Sequence, residues 1–169
     1  MTSIKYIFIF LSFISLVNCG ETKTKDASKS IKIVTPKEVN NEDPTRVNIG
    51  ITGNDMMQFS TKELRVQPGT NITLTLRHIG KMDLNVMGHN FVLLKPGTEI
   101  ADFALQAANA GKPKDWIPND GQGVIAHTEM IGGGQSTSIS FTAPETGSYD
   151  FICSFPGHSG LMKGKFIVE

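Results

Sequence analysis

The sequence predicts an all-β domain, a Greek-key sandwich or barrel with one short inserted helix. Three observations point there. Apolar and polar residues alternate with a period of two in several short runs, Gly and Pro punctuate those runs, and only one stretch has helical spacing.

Taken in chain order, Val47, Ile49 and Ile51 alternate with polar neighbours and read as a half-buried strand. Residues 64–66 form a second, short candidate. Ile72, Leu74 and Leu76 then alternate with Thr73, Thr75 and Arg77, which puts His78 in the inward phase. The expectation for His78 is a buried histidine satisfied by a backbone group. Residues 90–94, 124–127, 136–141, 147–153 and 163–168 complete the strands. Pro68-Gly69, Pro96-Gly97, Gly132-Gly133-Gly134 and Glu145-Thr146-Gly147 supply turn chemistry between them. The exception follows Thr98, a candidate cap, where Ile100, Phe103, Ala104 and Ala107 recur at helical spacing until Gly111.

The first 46 residues have a different character. Lys5 precedes an apolar run at 6–17, broken only by Ser12 and Ser15, which is too short for a stable membrane span and suits an export signal. Leu16-Val17-Asn18-Cys19-Gly20 resembles a bacterial lipobox, although Asn18 departs from the usual small residue. That resemblance implies a signal over 1–18 and lipid attachment at Cys19, holding the protein to a membrane in the cell envelope or periplasm. Residues 19–46 are polar apart from Ile31-Lys32-Ile33-Val34 and read as a flexible tether to a domain at 47–169. That domain carries nine cations against eleven anions. Without a basic block, binding to nucleic acid is excluded.

Two cysteines in an exported chain would normally pair. If Cys19 is lipidated, Cys153 is left alone, and an orphan thiol there points to metal ligation or nucleophilic chemistry. Its surroundings weigh on the first. Cys153-Ser-Phe-Pro-Gly-His158-Ser-Gly-Leu-Met162 brings a thiolate, an imidazole and a thioether onto one loop between two strands. His89, in Asn85-Val-Met-Gly-His-Asn90, supplies a second imidazole. Two imidazoles and a thiolate with a weak axial thioether form the ligand set of a blue-copper site. Catalytic zinc also uses Cys and His, but no Glu or Asp accompanies these segments as a general base. A Cys-His nucleophilic dyad lacks an orienting third group. Copper delivery remains a further alternative, one that usually employs mobile Met or His clusters.

Four ordered blocks carry a more specific signal: Gly53-Asn-Asp-Met-Met-Gln-Phe59, Asn85 to Asn90, Val124-Ile-Ala-His-Thr128, and the stretch from Phe151 to Gly164. Together they resemble the azurins of the cupredoxin family over roughly residues 47–169. The resemblance implies one type 1 copper per chain and single-electron transfer without catalysis. His89, Cys153 and His158 would be equatorial ligands, Met162 an axial ligand and the Gly88 carbonyl a second, distant axial contact. Asn90 would tie the two ligand-bearing segments together, and it and nearby backbone N–H groups would hydrogen-bond the thiolate. Phe155, Pro156 and Leu161, joined by Met57, Met82, Val86 and Met87, would make an apolar face around His158 where redox proteins dock on a monomeric domain. His127 is expected at the surface. The family's disulfide is absent, its positions falling on Val47 and around Gly69-Thr70. Phe91 stands where the family often has Trp, and Trp116 is placed in a loop.

Overall fold

The computed structural model describes residues 45–169. The signal at 1–18, Cys19 and nearly all of the tether at 19–46 therefore lie outside the described residues. The elements run β1 (Arg46–Asn54), β2 (Gln58–Phe59), β3 (Glu63–Val66), β4 (Asn71–His78), α1 (Leu84–Met87), β5 (Val92–Leu94), α2 (Ile100–Ala110), β6 (Val124–His127), β7 (Ser136–Thr142), β8 (Gly147–Ile152) and β9 (Lys163–Val168).

Among the described residues, nine strands form two sheets, ordered β2-β1-β4-β7 and β3-β9-β8-β5-β6. The sandwich alternative is thus realised, with two separate sheets and no closed barrel. β1 runs parallel to β4 and β3 parallel to β9, while the other pairs are antiparallel. The period-two reading sets which side chains enter the space between sheets: Ile51, Ile72, Leu74 and Leu76 from one, Leu93, Phe151, Phe166 and Val168 from the other. Each is at most 1% exposed. Burying such a side chain contributes about 1.5–3 kcal/mol.

β5 shows why a continuous apolar run can also be a strand. Leu93 faces the core between sheets, while Val92 and Leu94 face a second cluster with Phe103 and Ala107 of α2 and with Trp116 and Met130. Covered on both faces, β5 needs no polar alternation. Trp116 lies outside any strand, as expected, yet is 7% exposed and closes this second cluster.

Several boundaries differ from the sequence reading. The strand expected at 90–94 begins only at Val92, because the preceding residues bond elsewhere: Asn90 reaches Ser154, and the Phe91 N–H donates to Thr128 Oγ1 at 2.9 Å. Thr98 does not cap α2. Its hydroxyl donates to the Gly123 carbonyl at 3.3 Å, and Glu99 occupies the cap position without a side-chain bond. Gly111 does end the helix, its N–H donating to the Ala107 carbonyl. α1 and β2 went unread, being too short to display a period. The one available signal was Asp83, whose carboxylate accepts from the Asn85 N–H at 2.8 Å and starts α1.

Candidate metal centre

Three parts of the chain converge at one end of the sandwich. β8 ends at Ile152, opposite Lys163 of β9, and the ladder is extended by the Cys153 N–H donating to the Met162 carbonyl at 2.9 Å. The loop between them closes on itself. Gly157 adopts φ 82, a left-handed turn conformation that favours glycine, and the His158 N–H donates back to Phe155. The Leu161 and Met162 N–H groups both donate to the His158 carbonyl, at 3.1 and 2.8 Å. This binds Cys153, His158 and Met162 into one stiff unit. The third part is α1, which delivers Gly88 and His89.

The Cys153 thiol and both imidazoles form the group of metal-capable side chains found among the described residues, with ligand atoms all within 4.8 Å of one another. Cys153 Sγ lies 4.0 Å from His89 Nδ1 and 3.6 Å from His158 Nδ1. A metal ion held in a trigonal plane, at about 2.3 Å from sulfur and 2.0 Å from nitrogen, requires a sulfur–nitrogen separation of about 3.7 Å. The observed pair brackets that value. The Gly88 carbonyl points at the same space, 3.7 Å from Cys153 Sγ.

The surroundings of the His89 ring fit a cation-binding role. Its Nδ1 lies 2.8 Å from the Gly88 oxygen and its Nε2 lies 2.9 Å from the Asn54 oxygen. Burial, the largest cause, holds the His89 pKa below the ordinary histidine value, so the ring is neutral and carries one proton. Only one ring nitrogen can donate, so if Nε2 donates to Asn54 the Nδ1 lone pair faces the Gly88 oxygen. A cation at this point resolves the confrontation, and the Nε2–Asn54 bond fixes the ring for it.

The electrostatics of the other donors agree. Burial pushes the Cys153 thiol up to about 12, against partial relief from the backbone N–H groups of Asn90 and Phe155. A thiolate in this dry place therefore needs a cation beside it. Burial, followed by the nearby His89 and His78, lowers His158 to about 4. Both histidines are thus neutral and ready to ligate near pH 7. His89, Cys153 and Met162 are fully buried, and His158 is 3% exposed.

The supporting contacts combine expected and unexpected residues. Asn90 does join the two segments, through Ser154. His78 is buried as expected, its Nε2 donating to the Met87 carbonyl at 2.8 Å and its Nδ1 accepting from the Gly80 N–H at 3.0 Å. Beyond that expectation, its ring stacks on His89, with centroids 4.1 Å apart. His127 is exposed and stands outside the group. Phe91 fills the core, stacked on Phe151. Of the methionines assigned to the surface, Met82 is exposed whereas Met57 and Met87 are half-buried, and Met56 is the more exposed of the 56–57 pair. Reading the sequence missed Ser154 and the Asn54 carbonyl, because neither residue type by itself signals a role beside a metal.

Comparisons with known proteins give the same picture. Residues 45–169 match the family model described as copper binding proteins, plastocyanin/azurin family. Azurin from Pseudomonas chlororaphis is 39% identical over 127 residues, covering 72% of this chain and 97% of that protein. Azurin from Alcaligenes faecalis is 41% identical over 121 residues, covering 69% and 94%. Among solved structures, the blue copper protein auracyanin A from Chloroflexus aurantiacus superimposes with a TM-score of 0.68 at 32% identity, over 73% of this chain and 99% of that one. Reduced auracyanin from Roseiflexus castenholzii gives 0.65 at 36% identity, over 72% and 96%. The His89, Cys153 and His158 cluster fits a single type 1 copper site. With a stiff loop, a buried thiol, two neutral imidazoles and a family match spanning all the described residues, the chain belongs to the plastocyanin/azurin family of copper-binding proteins.

Proposed function

We propose that this chain is a tethered, exported single-electron carrier and performs no catalysis. His89, Cys153 and His158 would hold its copper, with Met162 and the Gly88 carbonyl as weaker contacts. The observation that carries this reading is the convergence of the two Nδ1 atoms and the Cys153 sulfur at spacings that suit one trigonal ion. When bound, copper supplies a one-electron Cu(II)/Cu(I) couple. The protein's own part is to hold the donors still and dry. The loop bonds among Cys153, His158 and Met162 resist rearrangement, and burial excludes water from an open coordination position.

Electrons leave through His158 in this reading. It is the one side-chain ligand with measurable exposure, and the Phe155 ring packs 4.7 Å from it. Leu161, Val86 and Met82 are 61%, 63% and 45% exposed on segments next to the ligands. Exposed apolar residues on these segments suit brief docking of redox proteins. Among the described residues no helix is long and apolar enough to cross a membrane. In this reading, attachment to the cell envelope is by lipidation of Cys19, with residues 1–18 removed and 19–46 as the tether.

The absorption spectrum of the copper-loaded protein, with voltammetry, tests the reading. An intense thiolate-to-Cu(II) band that disappears in Cys153→Ser, and a reversible one-electron wave, are expected. Copper binding without either would leave a delivery protein as the better description. Val86→Lys should slow electron self-exchange at low salt with the spectrum unchanged, and Cys19→Ser should release the protein from membranes.

A further inference from the structure

We propose that Gly53 is a positioning residue for the copper site: the side chain it lacks is the slot occupied by the His89 ring and the Met162 methyl group. A Cβ on Gly53 would lie 2.7 Å from His89 Cδ2 and 2.8 Å from Met162 Cε. Both separations are shorter than carbon atoms tolerate. The backbone does not ask for glycine here, because Gly53 lies within β1 and is not among the glycines with positive φ. The neighbouring side chains ask for it.

The contacts determine what would have to give. Gly53 cannot readily retreat, since it pairs with Phe59 on one side and His78 on the other, and its carbonyl accepts from the Ile79 N–H at 2.8 Å. The His89 ring is pinned by the Asn54 carbonyl and by the stacked His78. Met162 Cε is the end of a flexible thioether and moves first, but it is fully buried and starts from a packed position. An added methyl group would therefore turn the thioether away and tilt the imidazole. Gly53 thereby acts on two proposed ligands at once, one equatorial and one axial, without touching the metal. The inference rests on the ligand assignment proposed above.

Gly50 offers a matched control, because it lies in the same strand and a Cβ there meets nothing within 4 Å. Gly53→Ala should lose Cu(II) affinity roughly tenfold or more through overpacking, with a shifted charge-transfer band and reduction potential. Gly50→Ala should match the wild type in all three. In the copper-free protein, the His89 ring resonances should move in Gly53→Ala while those of exposed His127 stay in place. Affinity within twofold of wild type, with an unchanged band and potential, would overturn the proposal. If Gly53→Ala does not fold, Gly53→Ala/Met162→Ala should restore folding by vacating part of the slot. Failure of that double variant to fold, where Met162→Ala alone folds, would also overturn it. A wild-type protein without the blue band would instead sink the ligand assignment, so the two failures are separable.

Discussion

Asn90 and Ser154 exchange two hydrogen bonds: the Ser154 N–H donates to Asn90 Oδ1, and Asn90 Nδ2 donates to Ser154 Oγ, both at 2.8 Å. Asn90 follows His89 and Ser154 follows Cys153. Two ligand-bearing segments from distant parts of the chain are thus held in register by one buried amide. Asn90→Ala strands the Ser154 N–H, which is buried, and should destabilise the protein by about 1–3 kcal/mol. Chemical denaturation with and without copper would measure this, and the copper form should lose at least as much. A change below 0.5 kcal/mol, the level of an ordinary surface substitution, would mean that water replaces the bond.

Met162→Leu should keep copper and raise the reduction potential, because an apolar neighbour no longer donates density to Cu(II). Met162 is fully buried, so the exchange of similar volumes should leave folding largely intact. Voltammetry of the variant decides the point, and an unchanged potential would remove Met162 from the axis.

Copper removal should lower thermal stability sharply. Among the described residues Cys153 is a free thiol, and no disulfide restrains the domain. Copper at about a thousand times its Kd contributes about 4 kcal/mol to the folded state, a rise of roughly 10 °C or more in Tm for a domain of this size. Calorimetry of the copper-free and copper-bound forms should show this difference. Equal melting would indicate that copper does not select the folded state.

The copper-free protein should lose stability at both ends of the pH scale. His158 is lowered to about 4 and His89 is also lowered, burial being the main cause, so the unfolded chain takes up protons first on acidification. Their contribution is full above about 6.5, the ordinary histidine value, and falls as pH drops towards 4. Cys153 has the opposite sign. With its pKa raised from 9.0 to about 12, its contribution is full below 9.0 and falls as pH rises towards 12. Urea midpoints across this range should trace a dome, and bound copper should flatten both flanks. A copper-free midpoint that stays flat down to pH 4 would contradict the burial of His158.

Most of the strands and the metal-suited Cys153 loop were legible along the chain because both depend on local order. Ile72, Leu74 and Leu76 declare a strand by alternation, and 163–168 and 124–127 were bounded correctly by their neighbouring turns. Cys153, His158 and Met162 lie within one loop whose spacing suits a metal. Where tertiary bonds divert the backbone, local reading failed, as at Asn90 and Phe91, and at Thr98, whose hydroxyl has a more distant partner.

By itself, the sequence determined an all-β domain, the His89, Cys153 and His158 candidates and the family, since these reside in residue type, spacing and order. Only the tertiary structure decided between sandwich and barrel in favour of two separate sheets, and showed that His78 stacks on His89 and that Ser154 answers Asn90. It alone shows that Gly53 leaves room for His89 and Met162. The physical reason is distance along the chain: the parties to each of these relationships are separated by many residues, and no local pattern records which side chains a fold will press together.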